Sequence, residues 1–297
     1  MKTNRENFLH LVWKARAAYF FLLPLLFGIV VFKLKPLVEG VRLSFFEANI
    51  KEQVFVGFGN YIKMWGDPLF WRAMGNTMFY VIVMVPLILL VPLLIALVST
   101  KTSRTTQSFF RAAFYLPVVS AGIVMSMVWM WIFQSSYGVA NYFLSLVGMD
   151  PVLWLATSSG SRLAVCIVQL TWSLGIPLIL YLSALAAIPK VVYEAAAIDG
   201  AGPFSRFFKI TLPLIMPTVV YLLIIETIGR FQTFSAILLM TAGGPAYFTT
   251  SIVHRLYQIG FVSYRFGEAS AYGTLLLVIT FIVAFFQFRY LNKKLEF

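Results

Sequence analysis

At 297 residues the chain has the length of one or two soluble domains, but 60% of it is hydrophobic and only 11% is charged, which excludes an ordinary soluble composition. Its formal net charge of +12 is scattered in short stretches between apolar runs and forms no basic stripe, so a nucleic-acid partner is excluded and the cations are read as orienting membrane spans. Cys166 is the single cysteine and sits in an apolar run, while His10 and His254 lie far apart, so neither a disulfide framework nor a metal site is predicted.

The pattern predicts an all-α, polytopic membrane protein with six transmembrane helices. Residues 1–16 form a polar, basic N-terminal segment and 17–297 a single six-span domain. The first apolar run, Ala17 to Phe32, is followed directly by Lys33 and Lys35 without a small-x-small cleavage site, so it reads as a retained span and not a signal peptide. It is short for a hydrocarbon core of roughly 30 Å. The helix therefore borrows from Trp13 to Ala15 or extends past Lys33, whose ammonium snorkels. Pro36 to Ala73 is amphipathic and is expected to be an external segment, with turn and aromatic features at Gly57-Phe58-Gly59-Asn60-Tyr61 and Asp67-Pro68-Leu69-Phe70-Trp71.

The second span runs from Asn76-Thr77 to about Ser99, and its Pro86 and Pro92 are tolerable where neighbouring helices satisfy the freed carbonyls. A basic loop with Lys101, Arg104 and Arg111 leads to a third span over about Phe109 to Phe133. The cluster Trp129, Trp131 and Phe133 at its end is read first as an interfacial aromatic belt, with sugar stacking as the alternative. Gln134 to Arg162 is an external loop. The fourth span covers about Leu163 to Ile188, interrupted by Gln169, Trp172, Ser173 and Tyr181.

The fifth span is expected from Leu214 to Met240. It carries Glu226 and Arg230 four residues apart on one face, and each charge costs about 3 kcal/mol at a bilayer centre. The pair is therefore expected to face the bundle interior, either as a tie between helices or in contact with solute. A glycine-proline turn at Thr241 to Pro245 follows, then a polar segment holding Arg255 and Arg265. The sixth span ends near Phe288, and Arg289, Lys293 and Lys294 close the chain.

Between the fourth and fifth spans lies a polar island, EAAAIDGAGPFSRFFKITLP, from Glu194 to Pro213. Strong helix formers with an acid near the start predict one short helix, broken at Gly200, Gly202 and Pro203. Pro203 suits the start of a second, along which Phe204, Phe207, Phe208 and Thr211 recur at roughly helical spacing. The result is an L-shaped pair of helices offering apolar side chains to a partner. Glu194-Ala195-Ala196, then Gly200, then Ile210-Thr211-Leu212-Pro213 resembles the EAA loop of the membrane subunits of ATP-binding-cassette importers. The Gly57 to Tyr61 turn before Asn76-Thr77, the Thr241 to Pro245 turn and Phe266-Gly267-Glu268-Ala269-Ser270-Ala271 resemble the sugar-type branch of that family.

The resemblance implies that residues 190–213 are a cytoplasmic coupling loop seated in a cleft of an ATPase. Glu194 would meet a basic residue there and Gly200 would make the tight turn, with Ala195, Ala196, Asp199, Phe204, Phe207, Ile210, Leu212 and Pro213 as the remaining coupling set. It also implies an ATPase dimer, a second homologous permease and an extracytoplasmic solute-binding protein as partners, and alternating access in the inner membrane of a bacterial cell.

No GxxxxGK[ST] phosphate loop and no catalytic constellation are found in the sequence. The chain is accordingly expected to be non-catalytic and to bind no cofactor, with ATP and Mg on the partner ATPase. Gln169, Trp172, Tyr181, Glu226, Arg230 and Gln232 form a candidate solute pathway that suits an oligosaccharide. The same set suits a polar amino acid or a glycerol phosphate, whose anion would favour Arg230. An ion-coupled secondary transporter is the reading of another class, disfavoured by the absence of an obvious internal repeat. Of the 23 Lys and Arg, 13 fall in the proposed inner segments, which are together the shorter, so both termini are predicted cytoplasmic. Lys33, Lys35, Arg42, Lys51, Lys63 and Arg72 are the outer cations that weaken this bias.

Overall fold

The computed structural model describes residues 16–100 and 102–292. The predicted N-terminal segment up to residue 15, Lys101 of the basic loop, and Lys293 and Lys294 lie outside these residues. Among the described residues, four helices are long and apolar enough to cross a membrane, or up to six if each of two bent pairs is one span.

Helix α1, Arg16–Ile29, passes through a π-helical turn, Val30–Leu34, into α2, Lys35–Leu43. The first span extends past Lys33, with a single apolar helix over Tyr19–Leu43, while Trp13 to Ala15, the other route expected for lengthening it, lie outside the described residues. The expected external segment begins as a continuation of this helix, through Leu43. Pro36 falls just after the π-helical turn, where the hydrogen-bond ladder is already irregular. A short antiparallel hairpin, β1 (Phe46–Ala48) and β2 (Gln53–Phe55), departs from the all-α expectation.

Helix α3, Gly59–Gly66, leads to α4, Pro68–Ser99, the pillar of the bundle. Asp67 caps α4 by accepting the Leu69 N–H at 2.9 Å. It also takes Arg255 at 2.9 Å and the Tyr272 hydroxyl at 3.2 Å. Burial works against the charge of Asp67, but these donors hold its carboxyl below the ordinary carboxylate value.

The region expected as the third span, about Phe109 to Phe133, is divided between two helices. Helices α5 (Arg104–Val119) and α6 (Gly122–Ile132) meet at 101°. Pro117 lies in the last turn of α5, and Ser120 and Ala121 are extended, so the helical hydrogen-bond ladder cannot cross. Helix α7, Val139–Leu146, occupies the next loop. The region expected as the fourth span is α8 (Ser158–Ser173) and α9 (Gly175–Ala186), bent by 43° at Leu174. The loop helices α10 (Lys190–Ile198) and α11 (Pro203–Arg206) run through a π-helical turn, Phe207–Thr211, into α12 (Leu212–Phe231).

Helix α12 corrects the expected fifth span, because it ends at Phe231 and not near Met240. Gln232 turns, Thr233 and Phe234 are irregular, and a π-helical turn follows at Ile237–Thr241. The freed Thr233 carbonyl is met by the Ser251 hydroxyl at 2.6 Å, which is how a break inside an apolar bundle is satisfied. Helix α13 (Ile252–Tyr257) and the long α14 (Phe266–Asn292) complete the chain.

Helix α4 packs on α8, α9 and α12, while α14 packs on α12 and on α2. Three apolar clusters stack along this frame. Phe70, Phe231, Ile252 and Tyr272 form the one at the α4 N-terminus. Tyr80, Ile88, Val165 and Ile237 form a second, and Leu93, Leu178, Tyr181 and Ile215 a third near the loop helices.

Candidate functional site

The loop between α9 and α12 is built from local chemistry. Helix α10 closes with the paired bonds of a glycine C-cap: Ala201 N–H reaches Ala196 O at 2.9 Å and Gly200 N–H reaches Ala197 O at 3.1 Å. Gly200 is left-handed with φ of +74°, a conformation that a glycine adopts without steric cost. Pro203 then opens α11. Arg206 Nε donates to Ala201 O at 2.7 Å, and the Tyr193 and Thr211 hydroxyls meet at 2.9 Å. These two ties hold the second limb of the loop against the first.

What the loop presents outward is apolar at its tip. Ile198 is 88% exposed and Phe204 82% exposed, flanked by exposed Glu194, Ala195, Asp199, Gly200 and Pro213. Ala196 is buried, and Phe207, Ile210 and Leu212 are half-buried. The predicted coupling set therefore divides into an outward face and an inward face that seats the loop. Ile198, Phe208 and Val191 are further exposed apolar residues here that were not in that set. Helical spacing from Glu194 would have found Ile198.

The second feature is a cavity of about 310 Å³ where the broken helices meet, with Ser126, Gln169, Trp172, Arg230, Gln232 and Thr233 in its wall. Arg230 Nη1 donates to Gln169 Oε1 at 3.0 Å, and Arg230 Nη2 lies 3.3 Å from Glu226 Oε2. The Thr233 hydroxyl donates to the same Gln169 oxygen at 2.9 Å. Trp172 Nε1 donates to Ser120 O at 3.3 Å, across the bend between α5 and α6. Charge pairing and helix breaking thus coincide, because irregular backbone inside a bundle is found where it lines a cavity.

Of the six predicted pathway residues, the structure brings Gln169, Trp172, Arg230 and Gln232 into this wall and sets Glu226 behind Arg230. Tyr181 does not join them. It is fully buried among Leu178, Leu182, Ile215 and Leu222, about two and a half helical turns beyond Trp172 and on the opposite face. Thr233, Ser126 and Ser235 line the cavity and were not predicted. Ordinary hydroxyl residues in apolar runs carry no signal until the helix break is known.

A third constellation gives physical reasons for the remaining motifs. Asn76 Nδ2 donates to Tyr247 O and Thr250 O, both at 2.9 Å, while its Oδ1 accepts from Arg162 Nη2 at 2.7 Å. The Thr77 hydroxyl accepts the Ile252 N–H at 3.0 Å. Asn60 Nδ2 donates to Ser44 O and Phe46 O. A Cβ at Gly267 would stand 1.8 Å from Phe46 O, so that glycine lets α14 pass the hairpin.

Residues 68–297 match the family described as the binding-protein-dependent transport system inner membrane component. The chain is 33% identical over 272 residues to the arabinooligosaccharides transport system permease protein of Halalkalibacterium halodurans, covering 91% of this chain and 85% of that one. It is also 33% identical over 279 residues to the trehalose/maltose transport system permease protein of Thermococcus litoralis, covering 92% and 94%. A solved bacterial ABC transporter involved in the import of the acidic polysaccharide alginate superposes with a TM-score of 0.87 at 25% identity, covering 97% of this chain and 99% of that one.

Proposed function

We infer the function from family membership: the chain belongs to the binding-protein-dependent transport system inner membrane components, and it is a permease component of an importer of that kind. Its task is to form one half of a translocation path for a carbohydrate, an oligosaccharide in first place, handed over by an extracytoplasmic binding protein. The observation that carries the coupling role is the exposed loop at residues 190–213, where a glycine-capped turn holds Glu194, Ile198 and Phe204 outward. Such a rigid apolar knob suits docking into a cleft of a partner ATPase, where Glu194 would meet a basic residue. ATP and Mg belong to that ATPase, and hydrolysis there drives alternating access through the loop.

Taking each bent pair as one span gives six, an even number that puts both termini on the side of the loop, which in this reading is the cytoplasm. Several of the outer cations that weaken the charge bias are locally engaged. Lys63 meets Glu47 at 3.3 Å, Arg42 pairs with Glu39, and Arg72 lies 4.4 Å over the Phe248 ring. A second permease, identical or homologous, completes the pore. The test is ATP hydrolysis by the assembled complex in lipid, stimulated by binding proteins loaded with oligosaccharides, simple sugars or amino acids. Stimulation by a sugar-loaded binding protein, lost in Glu194→Ala while the permease stays inserted, is the expected result. Full stimulation in that variant would remove the coupling role, and stimulation only by an amino-acid-loaded protein would remove the sugar.

A further inference from the structure

We infer that the cavity walled by Gln169, Trp172, Arg230 and Gln232 receives a neutral saccharide and disfavours acidic or phosphorylated solutes. The inference rests on the importer reading above and adds to it the charge of the solute.

Among the described residues Arg230 is the one charged residue in the cavity wall, and both of its terminal nitrogens are engaged, while its Nε is buried without a partner. Nη2 faces Glu226 at 3.3 Å and Nη1 donates to Gln169 at 3.0 Å, with the two charged side chains 10% and 12% exposed. The one cation of the wall is therefore balanced by Glu226 behind it, and the pair carries no net charge. An incoming carboxylate or phosphate has two options. It can draw Arg230 away from Glu226, which strands a carboxylate in a site with little water. Or it can rest against the intact pair with nothing to balance it. Either way one anion is left without a partner at low exposure, the costly condition for a buried charge.

A sugar makes no such demand. The Gln169 oxygen is held by both Arg230 and Thr233, which fixes the amide plane, and its Nε2 is buried without an acceptor in the protein. Gln169 is itself only 5% exposed, so this donor awaits a hydroxyl at a defined place. Gln232 is exposed in the wall, Ser126 and Ser235 add hydroxyls, and Trp172 supplies an aromatic face. Neutral donors and acceptors beside an indole match a ring that has hydroxyls at its edge and C–H groups on its face.

The test uses the complete complex of both permeases and the ATPase in lipid nanodiscs, without binding protein, so that selectivity belongs to the pore. Binding of maltotriose and lactose is compared with that of trigalacturonate and glycerol 3-phosphate. The expected result is at least tenfold tighter binding of a neutral probe, little changed by salt, and at least tenfold weakened in Gln169→Ala and Trp172→Ala. Glu226→Gln leaves Arg230 unbalanced and should shift the preference at least tenfold toward the acidic probes. If that variant does not assemble, the wild-type comparison decides alone. Equal or tighter binding of an acidic probe to the wild type overturns the inference, and so does binding of none of the four. Stimulation of ATP hydrolysis by a loaded binding protein, measured on the same preparation, tests the importer reading separately. Stimulation by an acid-loaded protein leaves that reading standing and removes this one, whereas no stimulation by any removes both.

Discussion

Gly200 holds φ at +74° with open space where a Cβ would go, so replacing it there meets no neighbour and costs only the left-handed conformation. For alanine that cost is about 1 kcal/mol, which frays the turn between α10 and α11. Gly200→Ala should weaken ATPase docking roughly fivefold, and Gly200→Asn, which tolerates the left-handed region, should recover most of it. Equal affinities of the ATPase for all three forms would mean that the turn does not set docking. His254 raises a different residue-scale question. It is 1% exposed, its Nδ1 has no partner, and Phe234 and Arg255 stand beside it. Burial first, and Arg255 second, push its pKa down to about 4. The unfolded chain takes up a proton as pH falls below about 6.5, while the folded chain resists until near 4. The folded state is therefore fully favoured above pH 6.5 and loses roughly 3 kcal/mol on the way down to pH 4. Thermal unfolding in detergent should show this slope, and His254→Gln should flatten it.

Among the elements, α4 and the segment before α13 are joined by side chains that reach each other's backbone. Asn76 satisfies two carbonyls and one guanidinium group at once, so Asn76→Ala should destabilise the protein by roughly 2–4 kcal/mol through stranded buried polar groups. A variant melting within a degree of wild type would show that other groups take over these carbonyls. The same case explains how far the fold could be read beforehand. Apolar runs and the EAA spacing placed the helices and the loop, because periodicity, Gly200 and Pro203 act locally. The Asn76 bonds to Tyr247 and Thr250 span more than 170 positions and the one to Arg162 spans 86, and no local pattern reports them. The breaks at Ser120 and Gln232 were missed for a related reason. A helix that stops inside an apolar run needs a distant partner such as the Ser251 hydroxyl, and that partner is known only from the packing. The cavity site was half legible. Gln169, Trp172, Arg230 and Gln232 stood out as polar interruptions, whereas Thr233 and Ser126 became visible once the breaks were located, and Tyr181 packs in a separate apolar cluster.

Across the whole molecule, the loop at residues 190–213 and the cavity are connected by one helix. Helix α12 begins at Leu212, directly after the loop, accommodates Pro217 in its second turn, and ends at Phe231, one residue past Arg230. Its 20 residues span about 30 Å, and it packs on α4, α9 and α14 along the way. A push on the loop therefore reaches Arg230 and Gln169 through a rod, while the breaks at Ser120, Leu174 and Gln232 supply places where the wall can reorganise. Tyr221 sits in the middle of this rod with its side chain 55% exposed, so changing it disturbs little packing. Tyr221→Pro removes a helical hydrogen bond and clashes with the preceding turn, at a cost of about 3 kcal/mol, whereas Tyr221→Ala leaves the rod intact. The proline variant should still bind the ATPase through its unaltered loop and keep basal hydrolysis. Stimulation by a loaded binding protein should fall at least tenfold in the proline variant and remain near wild type in the alanine variant. If both variants are stimulated alike, the signal does not travel along α12, and the contacts of α9 with α4 and α5 become the route to interrupt.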